Sequence, residues 1–407
     1  MERKYTRPLG RLPLSTDMKL EILNLKLLFL ISLALFLAGC EVTPPEPVKP
    51  GIGEVIDWDQ LPGWQQDKHA EAWPALIQQC SVLPRKKPQW KRICLDAVEL
   101  GEVDDTIARN FIESHFTPHR IIPSSKKDGS PGTGLLTGYY EPLLNGSLFR
   151  SEQYRYPLYA VPDDLLRIDL AGLYPKLSKM KLRGRIEGRK IVAYHDRSAI
   201  DSEDMPLWGK ELVWIDDPVA VFFLHVQGSG RILMDDGSIM AVGYADQNGQ
   251  PYTSIGKILI ERDEIAREDI SLFTIQQWLQ TNPAQAKALL EQNRSYIFFH
   301  LRKNAQENPR GSLNVPLTPS RSIAVDPGTI PLGSPVWLDT SYPGETDHTL
   351  QRLTFAQDTG GAIKGYARAD MFWGNGEMAE KLAGEMKQQA ELYLLLPDDE
   401  TTHSQQQ

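Results

Sequence analysis

A series of short apolar and aromatic runs, which begins at Gly134 and continues towards the C-terminus, restricts the fold more than any other feature. The runs are rich in Tyr, Val, Ile and Phe and are separated by Gly, Pro, Asn or Asp, the pattern typical of antiparallel strands. We expect strands throughout 211–234 and 295–300, with a hairpin turn at 235–237, and helices between 260 and 293. The sequence therefore predicts a mainly β protein with accessory helices.

Before Gly134 the apolar positions follow a helical period. This period predicts helices over 68–79, 87–100 and 104–115, the last capped by Asp104. A chain of 407 residues, 41% of them hydrophobic, is long enough for two domains. Its net charge of −9, with 44 dispersed Lys and Arg, argues against a nucleic-acid partner.

The N-terminus has the pattern of a targeting segment. An apolar run over 27–37, too short to span a bilayer, ends in Leu-Ala-Gly-Cys40, which resembles the lipobox of bacterial lipoproteins. This resemblance implies a signal peptide over 1–39, with Met18 as the expected start, and a lipid on Cys40. Because Glu41 is not an aspartate, it also favours the outer membrane of a Gram-negative bacterium, with the protein facing the periplasm. We expect 40–56 to form the lipidated cysteine and a linker.

Two further cysteines, Cys80 and Cys94, remain if Cys40 is acylated. Disulfides form in the periplasm, and a bond closing a loop of this size would contribute about 3 kcal/mol. Pairing is the hypothesis, and two buried free thiols are the alternative.

The stretch 354–377, TFAQDTGGAIKGYARADMFWGNGE, contains the best catalytic candidate. Asp358 ends an apolar run and is followed by glycines, which can adopt positive φ and allow a ligand to approach closely. Asp370 follows with Phe372 and Trp373, a combination of acid and aromatic surface suited to a sugar substrate. The alternative is an ordinary glycine-rich loop that carries an exposed aspartate.

Three other chemistries fit the sequence less well. No histidine pair has metalloprotease spacing, so we expect neither a metal nor a cofactor. Ser229 lacks the flanking glycines of a nucleophile elbow, and we interpret its surroundings as a glycine-rich hairpin lining a groove, or else as a plain strand turn. Asp358-Thr-Gly resembles the aspartic-protease triplet, but the triplet occurs once, whereas that mechanism needs two carboxylates sharing a proton.

Glycoside cleavage fits better. It ordinarily needs two carboxylates, which Asp358 and Asp370 could supply. One carboxyl suffices if a hydroxyl of the substrate's own sugar is the nucleophile, because the same group can donate a proton and then accept one.

Five separated motifs resemble the membrane-bound lytic murein transglycosylase A family. They are LTGYYEPLL (136–144), HVQGSGRI (225–232), SYIFF (295–299), VPLTPSRSIAVDPGTIPLG (315–333) and AQDTGGAIKG (356–365), the last followed by Asp370. The resemblance implies a double-psi β-barrel domain, a smaller inserted β domain and a substrate groove between them. We expect the barrel over 57–142 and 294–397, the insertion over 143–293, and a disordered tail over 398–407.

The resemblance also implies an activity: non-hydrolytic cleavage of the β-1,4 bond between N-acetylmuramic acid and N-acetylglucosamine in peptidoglycan, with a 1,6-anhydro product. It places a single catalytic acid and base at Asp358. The residues that it implies for substrate binding are Gly138, Tyr139, Tyr140, Gln227, Gly228, Ser229, Gly230, Arg321, Ser322, Gly360, Gly361, Lys364 and Asp370. Glu141 is an additional carboxylate whose contact with substrate stays open.

A peptidoglycan-binding lipoprotein without activity is the competing hypothesis, because related barrels hold polysaccharide without cutting it. The expected partners are glycan strands and the outer membrane, and cell-wall assembly proteins stay unidentified.

Overall fold

A computed structural model describes residues 49–125, 132–177, 180–202 and 207–398, with only the backbone at 345 and 346. The predicted signal peptide, Cys40 and most of the tail lie outside the described residues. No described helix is both long enough and apolar enough to cross a membrane.

Strands dominate the described chain. In chain order they are β1 (Gly51–Val55), β2 (Phe116–Ile122), β3 (Gly134–Glu141), β4 (Leu143–Ser147), β5 (Tyr156–Tyr159), β6 (Leu166–Arg167), β7 (Arg183–Glu187), β8 (Lys190–Ala193), β9 (Glu211–Ile215), β10 (Ser229–Met234), β11 (Ile239–Gln247), β12 (Ile297–Leu301), β13 (Ser322–Val325), β14 (Pro335–Tyr342), β15 (Glu345–Asp358), β16 (Arg368–Asn375) and β17 (Lys387–Pro397).

The helices are shorter in total and fall in three groups along the chain. They are α1 (Trp73–Cys80), α2 (Leu83–Lys86), α3 (Trp90–Leu100), α4 (Asp105–His115), α5 (Arg197–Ile200), α6 (Pro218–Gln227), α7 (Ile255–Glu261), α8 (Leu272–Thr281), α9 (Pro283–Leu290) and α10 (Glu377–Glu385), with 3₁₀ turns at Trp58–Gln60, Trp64–Gln66, His69–Ala72 and Pro175–Leu177.

The first sheet is closed. Its order is β1-β2-β17-β14-β15-β13-β16-β3, and β3 also pairs with β17, so six strands form a ring that β1 and β2 extend. Strands from both ends of the chain build this barrel, whose interior contains Leu136, Ile323, Val336 and Leu394. The mainly β fold, with a barrel assembled from separated segments, agrees with the expectation.

The second sheet has the order β12-β11-β10-β4-β9-β5 and lies in the chain between the barrel strands. Only Pro142 separates β3 of the barrel from β4 of this sheet. Because β12 pairs with β11, residues 297–301 belong to the second sheet, although the predicted boundary at 293 assigns them to the barrel. The predicted hairpin at 235–237 is confirmed, since β10 pairs antiparallel with β11 around it.

The N-terminal helices cover the outside of the barrel. Asp104 caps α4 by accepting a hydrogen bond from the backbone N–H of Ile107 (2.8 Å), as predicted. Trp64 and Trp90 pack in one apolar cluster with Trp337 of β14. Cys80 at the end of α1 and Cys94 in α3 form a disulfide bond, the pairing that the sequence analysis favours.

Two local predictions were wrong at the ends of the barrel segment. Residues 51–55 were assigned to a linker but form β1, which pairs with β2, because a five-residue edge strand gives too weak a signal. Asp398 was assigned to the disordered tail, yet its carboxylate accepts a hydrogen bond from Thr117 Oγ1 (2.6 Å).

A third prediction was wrong within 211–234, where α6 stands between two strands. Asp217 caps this helix by accepting from Val219 N–H, and Pro218 occupies its first turn. The helix is buried between the second sheet and α7–α9, so it is apolar all round and lacks an amphipathic pattern. A short apolar run of this kind is easily mistaken for a strand.

Candidate active site

Four neighbouring barrel strands, β15, β13, β16 and β3, hold the two candidate carboxylates. Ala324 of β13 lies opposite Asp358 on one side and opposite Asp370 on the other. Residues directly opposite each other point to the same face of a sheet, so both aspartates face one way. They are two strands apart, which corresponds to about 10 Å between their Cα atoms.

The two oxygens of Asp358 are held differently. Oδ1 accepts three hydrogen bonds, from Ser312 N–H (2.8 Å), Ser312 Oγ (3.0 Å) and Thr359 N–H (2.8 Å). Oδ2 accepts one, from the hydroxyl of Tyr139 (3.1 Å). Oδ1 is therefore the fixed oxygen, and Oδ2 is the oxygen that can exchange a proton with a ligand.

Opposing effects act on the pKa of Asp358. Burial raises it above its usual range, while the hydrogen bonds from Thr359, Ser312 and Tyr139 lower it. Burial is the larger effect. Asp358 is nevertheless partly exposed, so it combines a raised pKa with access to solvent.

Side chains of β3 and β16 hold the carboxylate of Asp370 in place. The hydroxyl of Thr137, opposite it on β3, donates to Oδ1, and Arg368 donates to the same hydroxyl (2.8 Å). Burial raises the pKa of Asp370, Arg368 and Thr137 lower it, and the charge of Asp358 raises it further. The carboxylates thus influence each other electrostatically without sharing a proton.

The tyrosine pair is divided between the two faces of β3. Tyr139 packs against Phe372 and reaches Asp358, and burial together with both aspartates raises its pKa, so it stays a neutral donor. Tyr140 points the other way and donates to Glu380 of α10 (2.9 Å). Phe372 and Trp373 are buried, so the aromatic surface predicted from them is absent: both rings fill cores instead.

The other face of β3 borders a cavity of about 350 Å³ between the barrel and the helices of the inserted segment. Gly138, Tyr140 and Gln227 line it together with residues of α7, α8 and α10. Gln227 Oε1 accepts from the backbone N–H of Tyr140 (3.1 Å), which ties α6 to β3. Gly138 and Tyr140 therefore face away from Asp358.

The glycine-rich hairpin predicted around Ser229 is instead a junction between helix and strand. Gly228 ends α6 with a φ of 82°, and Ser229 begins β10. A Cβ on Gly230 would lie 2.4 Å from Leu224, so this glycine allows α6 to pack closely on β10. The packing of α6 on β10 therefore explains the residues at 228–230.

Arg321 and Ser322 do not line a groove either. The Arg321 guanidinium is buried and forms a two-pronged ion pair with Asp67 (2.8 and 2.9 Å), with Glu71 as a further partner (3.0 Å). Ser322 is buried and donates to Gln357 (2.6 Å). The expectation from motif position was wrong for both, because it cannot specify which way a side chain points.

Glu141 is also excluded from substrate contact by burial. Its carboxylate lies between Arg231 of β10 (2.8 Å) and Arg302, the residue that follows β12. Gly361 and Lys364, in contrast, are exposed beyond Asp358, and Gly360 is partly exposed. Neither glycine has the positive φ that the sequence analysis suggested.

Family models match at 135–300, described as MltA specific insert domain, and at 321–396, described as 3D domain. A crystal structure of a membrane-bound lytic murein transglycosylase from Agrobacterium tumefaciens is 33% identical, with a TM-score of 0.75, over 85% of this chain and 98% of that chain. The chain belongs to the membrane-bound lytic murein transglycosylase A (MltA) family.

Two further relatives support membership of the MltA family. A lytic transglycosylase of Burkholderia pseudomallei is 41% identical, with a TM-score of 0.56, over 89% of this chain and 100% of that one. Membrane-bound lytic murein transglycosylase A of Escherichia coli K12 is 34% identical over 260 residues, which is 62% of this chain and 63% of that protein. The chain thus matches less than two thirds of the length of this curated relative.

Both matched regions of this MltA family member contribute to the site. Tyr139 lies in the insert-domain match, whereas Asp358 and Asp370 lie in the 3D-domain match. Among the described residues, no cluster of three or more His, Cys, Asp or Glu is arranged to hold a metal ion.

Sequence reasoning missed one residue that contacts Asp358. Ser312, which donates twice to Asp358, precedes the recognised motif by a few residues and has no pattern of its own.

Proposed function

We propose that this chain is a lytic murein transglycosylase that cleaves the β-1,4 bond between N-acetylmuramic acid and N-acetylglucosamine in peptidoglycan. Its product would carry a 1,6-anhydro-muramoyl end. The observation that carries the proposal is the unequal hydrogen bonding of the two carboxylate oxygens of Asp358. Oδ1 accepts three hydrogen bonds, whereas Oδ2 accepts one, from Tyr139. Membership of the MltA family supports the substrate class.

In the proposed reaction Asp358 acts twice. Its protonated Oδ2 gives a proton to the oxygen that leaves with N-acetylglucosamine as the bond to muramoyl C1 breaks. The C6 hydroxyl of the same muramoyl residue then bonds to C1 and returns its proton to the Asp358 carboxylate. Water does not enter the products, and the carboxyl is regenerated.

The raised pKa of Asp358 suits the first step. A general acid has to be protonated near the working pH, and burial favours the neutral carboxyl. Asp370 contributes negative charge nearby while its own carboxylate is held by Thr137. We therefore assign Asp370 to tuning and substrate contact rather than to a second proton transfer.

The alternatives require other arrangements. An aspartic protease needs two carboxylates that share a proton, whereas these two described residues are separated by a whole strand. A hydrolase needs a second carboxylate to activate water, whereas the carboxylate of Asp370 is held by Thr137. A binding lipoprotein needs no acid with a raised pKa.

The test is digestion of purified sacculi followed by mass analysis of the ends. We expect anhydro ends from the parent chain, and none from Asp358→Asn while binding to sacculi persists. Asp370→Asn is the matched control and should retain measurable turnover. Reducing ends would instead indicate a hydrolase, and no new ends from the parent chain would indicate a binding protein.

We also propose that a lipid on Cys40 anchors the chain in the outer membrane, facing the periplasm. The Leu-Ala-Gly-Cys40 motif after an apolar run supports this location. The Cys40→Ala chain should lose incorporation of a labelled fatty acid. Incorporation equal to that of the parent would contradict the anchor.

A further inference from the structure

The small third sheet, β6-β7-β8, lies in a basic segment of an acidic chain. The chain as a whole has a net charge of −9. Residues 166–193, which contain this sheet, nevertheless hold eight Lys or Arg and only two Asp or Glu. This segment is therefore strongly basic although the chain as a whole is acidic.

The same segment is unusually apolar at its surface. Its exposed large apolar side chains are Leu170, Leu173, Tyr174, Met180, Ile186 and Ile191. Exposed apolar residues scattered singly need no explanation, but a concentration of them marks a binding surface.

Two of these side chains form a pair on the β7–β8 hairpin. Ile186 and Ile191 lie directly opposite each other in the antiparallel register, so their side chains share one face. They are 65% and 61% exposed. Neither isoleucine side chain belongs to a core cluster of the described residues.

Cations flank this apolar pair at the turn. Arg189 and Lys190 are exposed, and within the described residues neither forms an ion pair. The one acid nearby, Glu187, is already paired with Arg185. Glu187 also lies opposite Lys190 in the register, so the turn carries three cations and one acid and has an excess of positive charge next to the apolar pair.

The opposite end of the hairpin is fixed to the body of the inserted segment. Asp246 of β11 is buried and binds both Arg183 (2.9 Å) and Arg167 (2.8 Å). This double ion pair holds β6 and β7 at their base, so the hairpin turn projects from a rigid support.

We propose that the β7–β8 hairpin binds an anionic phospholipid surface, with Ile186 and Ile191 entering the interfacial layer and Arg189 and Lys190 contacting phosphates. Lipid surfaces bind segments that combine apolar side chains with nearby cations, and a negative surface attracts each cation over about a Debye length. An anionic lipid surface matches the positive charge of this segment, although the chain as a whole is acidic. This contact is additional to a lipid on Cys40 and independent of the proposed reaction.

The experiment uses the full chain with Ile186→Cys labelled by an environment-sensitive fluorophore, the parent chain giving the labelling background. Vesicles are phosphatidylcholine alone or mixed with phosphatidylglycerol, each with a nitroxide-labelled lipid as quencher. We expect a blue shift and quenching in the anionic vesicles that high salt reverses. Met378→Cys, exposed on α10 outside the segment, should show neither change.

Charge variants separate the contributions. Arg189→Glu with Lys190→Glu should abolish the quenching at position 186, whereas the matched reversal Lys86→Glu with Lys91→Glu, at exposed lysines elsewhere, should retain it. Equal quenching in both vesicle types, or none in either, would overturn the proposal. A blue shift that grows with protein concentration without vesicles would assign the surface to a second copy of the chain instead.

Discussion

At the scale of single residues, the pKa of the Asp358 carboxyl depends on two opposing effects, burial and hydrogen bonding. Burial raises its pKa, and each donor that stabilises the carboxylate lowers it. Ser312 and Tyr139 hold different oxygens, so their hydroxyls can be removed one at a time.

Tyr139→Phe should move the alkaline limb of the activity profile upwards. Loss of the hydroxyl removes a hydrogen bond that favours the carboxylate, so the pKa of Asp358 rises and the acid stays protonated to higher pH. One hydrogen bond to a charged group corresponds to about one pH unit. The measurement is kcat/KM for release of anhydro-muropeptides against pH.

Tyr140→Phe is the matched control, because that hydroxyl donates to Glu380 on the other face of β3. Its pH profile should overlay that of the parent chain. An unshifted profile for Tyr139→Phe, or an equal shift for Tyr140→Phe, would contradict the assignment of Tyr139 to Asp358.

The sequence predicts single residues well only where local pattern decides their position. Asp358 ends a strand and precedes glycines, and the structure places it there. Arg321 was misplaced because its partner Asp67 is 254 positions away, and no local pattern encodes that pairing. Ser312 was missed for the same reason, since it meets Asp358 only after the barrel closes.

At the scale of elements, local signals predict the amphipathic helices and miss the buried one. Helix α4 has a capping aspartate and one apolar face, so both its start and its period are readable. Helix α6 packs against the second sheet on one side and α7–α9 on the other, so it has few of the polar positions that would reveal a helical period. Burial by other elements is a tertiary property that the local pattern does not contain.

The contact between β3 and α10 predicts a cost for any side chain at position 138. A Cβ on Gly138 would lie 2.8 Å from the Ala383 backbone and from the Trp373 ring. Gly138→Ala should therefore displace α10 and lower the free energy of unfolding by about 1–3 kcal/mol. Urea denaturation measures the loss.

Gly361→Ala is the control for this prediction. No atom would lie within 4 Å of its Cβ, and its φ is not positive, so its stability should change by less than about 0.5 kcal/mol. Equal losses in the two variants would show that close packing on α10 does not explain Gly138.

At the scale of the whole molecule, the N-terminal segment is fastened to a barrel whose strands come mostly from the other end of the chain. Asp67 binds Arg321 and also accepts the backbone N–H of Leu353 (2.9 Å). Composition and period predict the fold class, but they do not predict this closure between distant segments. The family resemblance predicts this closure. Local pattern does not, because the strand order of the barrel depends on pairings between residues hundreds of positions apart.

Arg321→Ala should destabilise the whole molecule and leave substrate affinity unchanged. Removing the guanidinium leaves Asp67 buried without its counter-charge, a change that costs about 3–5 kcal/mol. Arg120→Ala breaks an exposed pair with Glu391 on the same barrel and should cost less than about 1 kcal/mol. Denaturation measures the loss of unfolding free energy in both variants, and KM is compared at a temperature where each variant is folded.

A raised KM for Arg321→Ala with parent-like stability would show that Arg321 contacts substrate in the groove. A large loss of stability with an unchanged KM would identify it as the residue that fastens the N-terminal segment to the barrel.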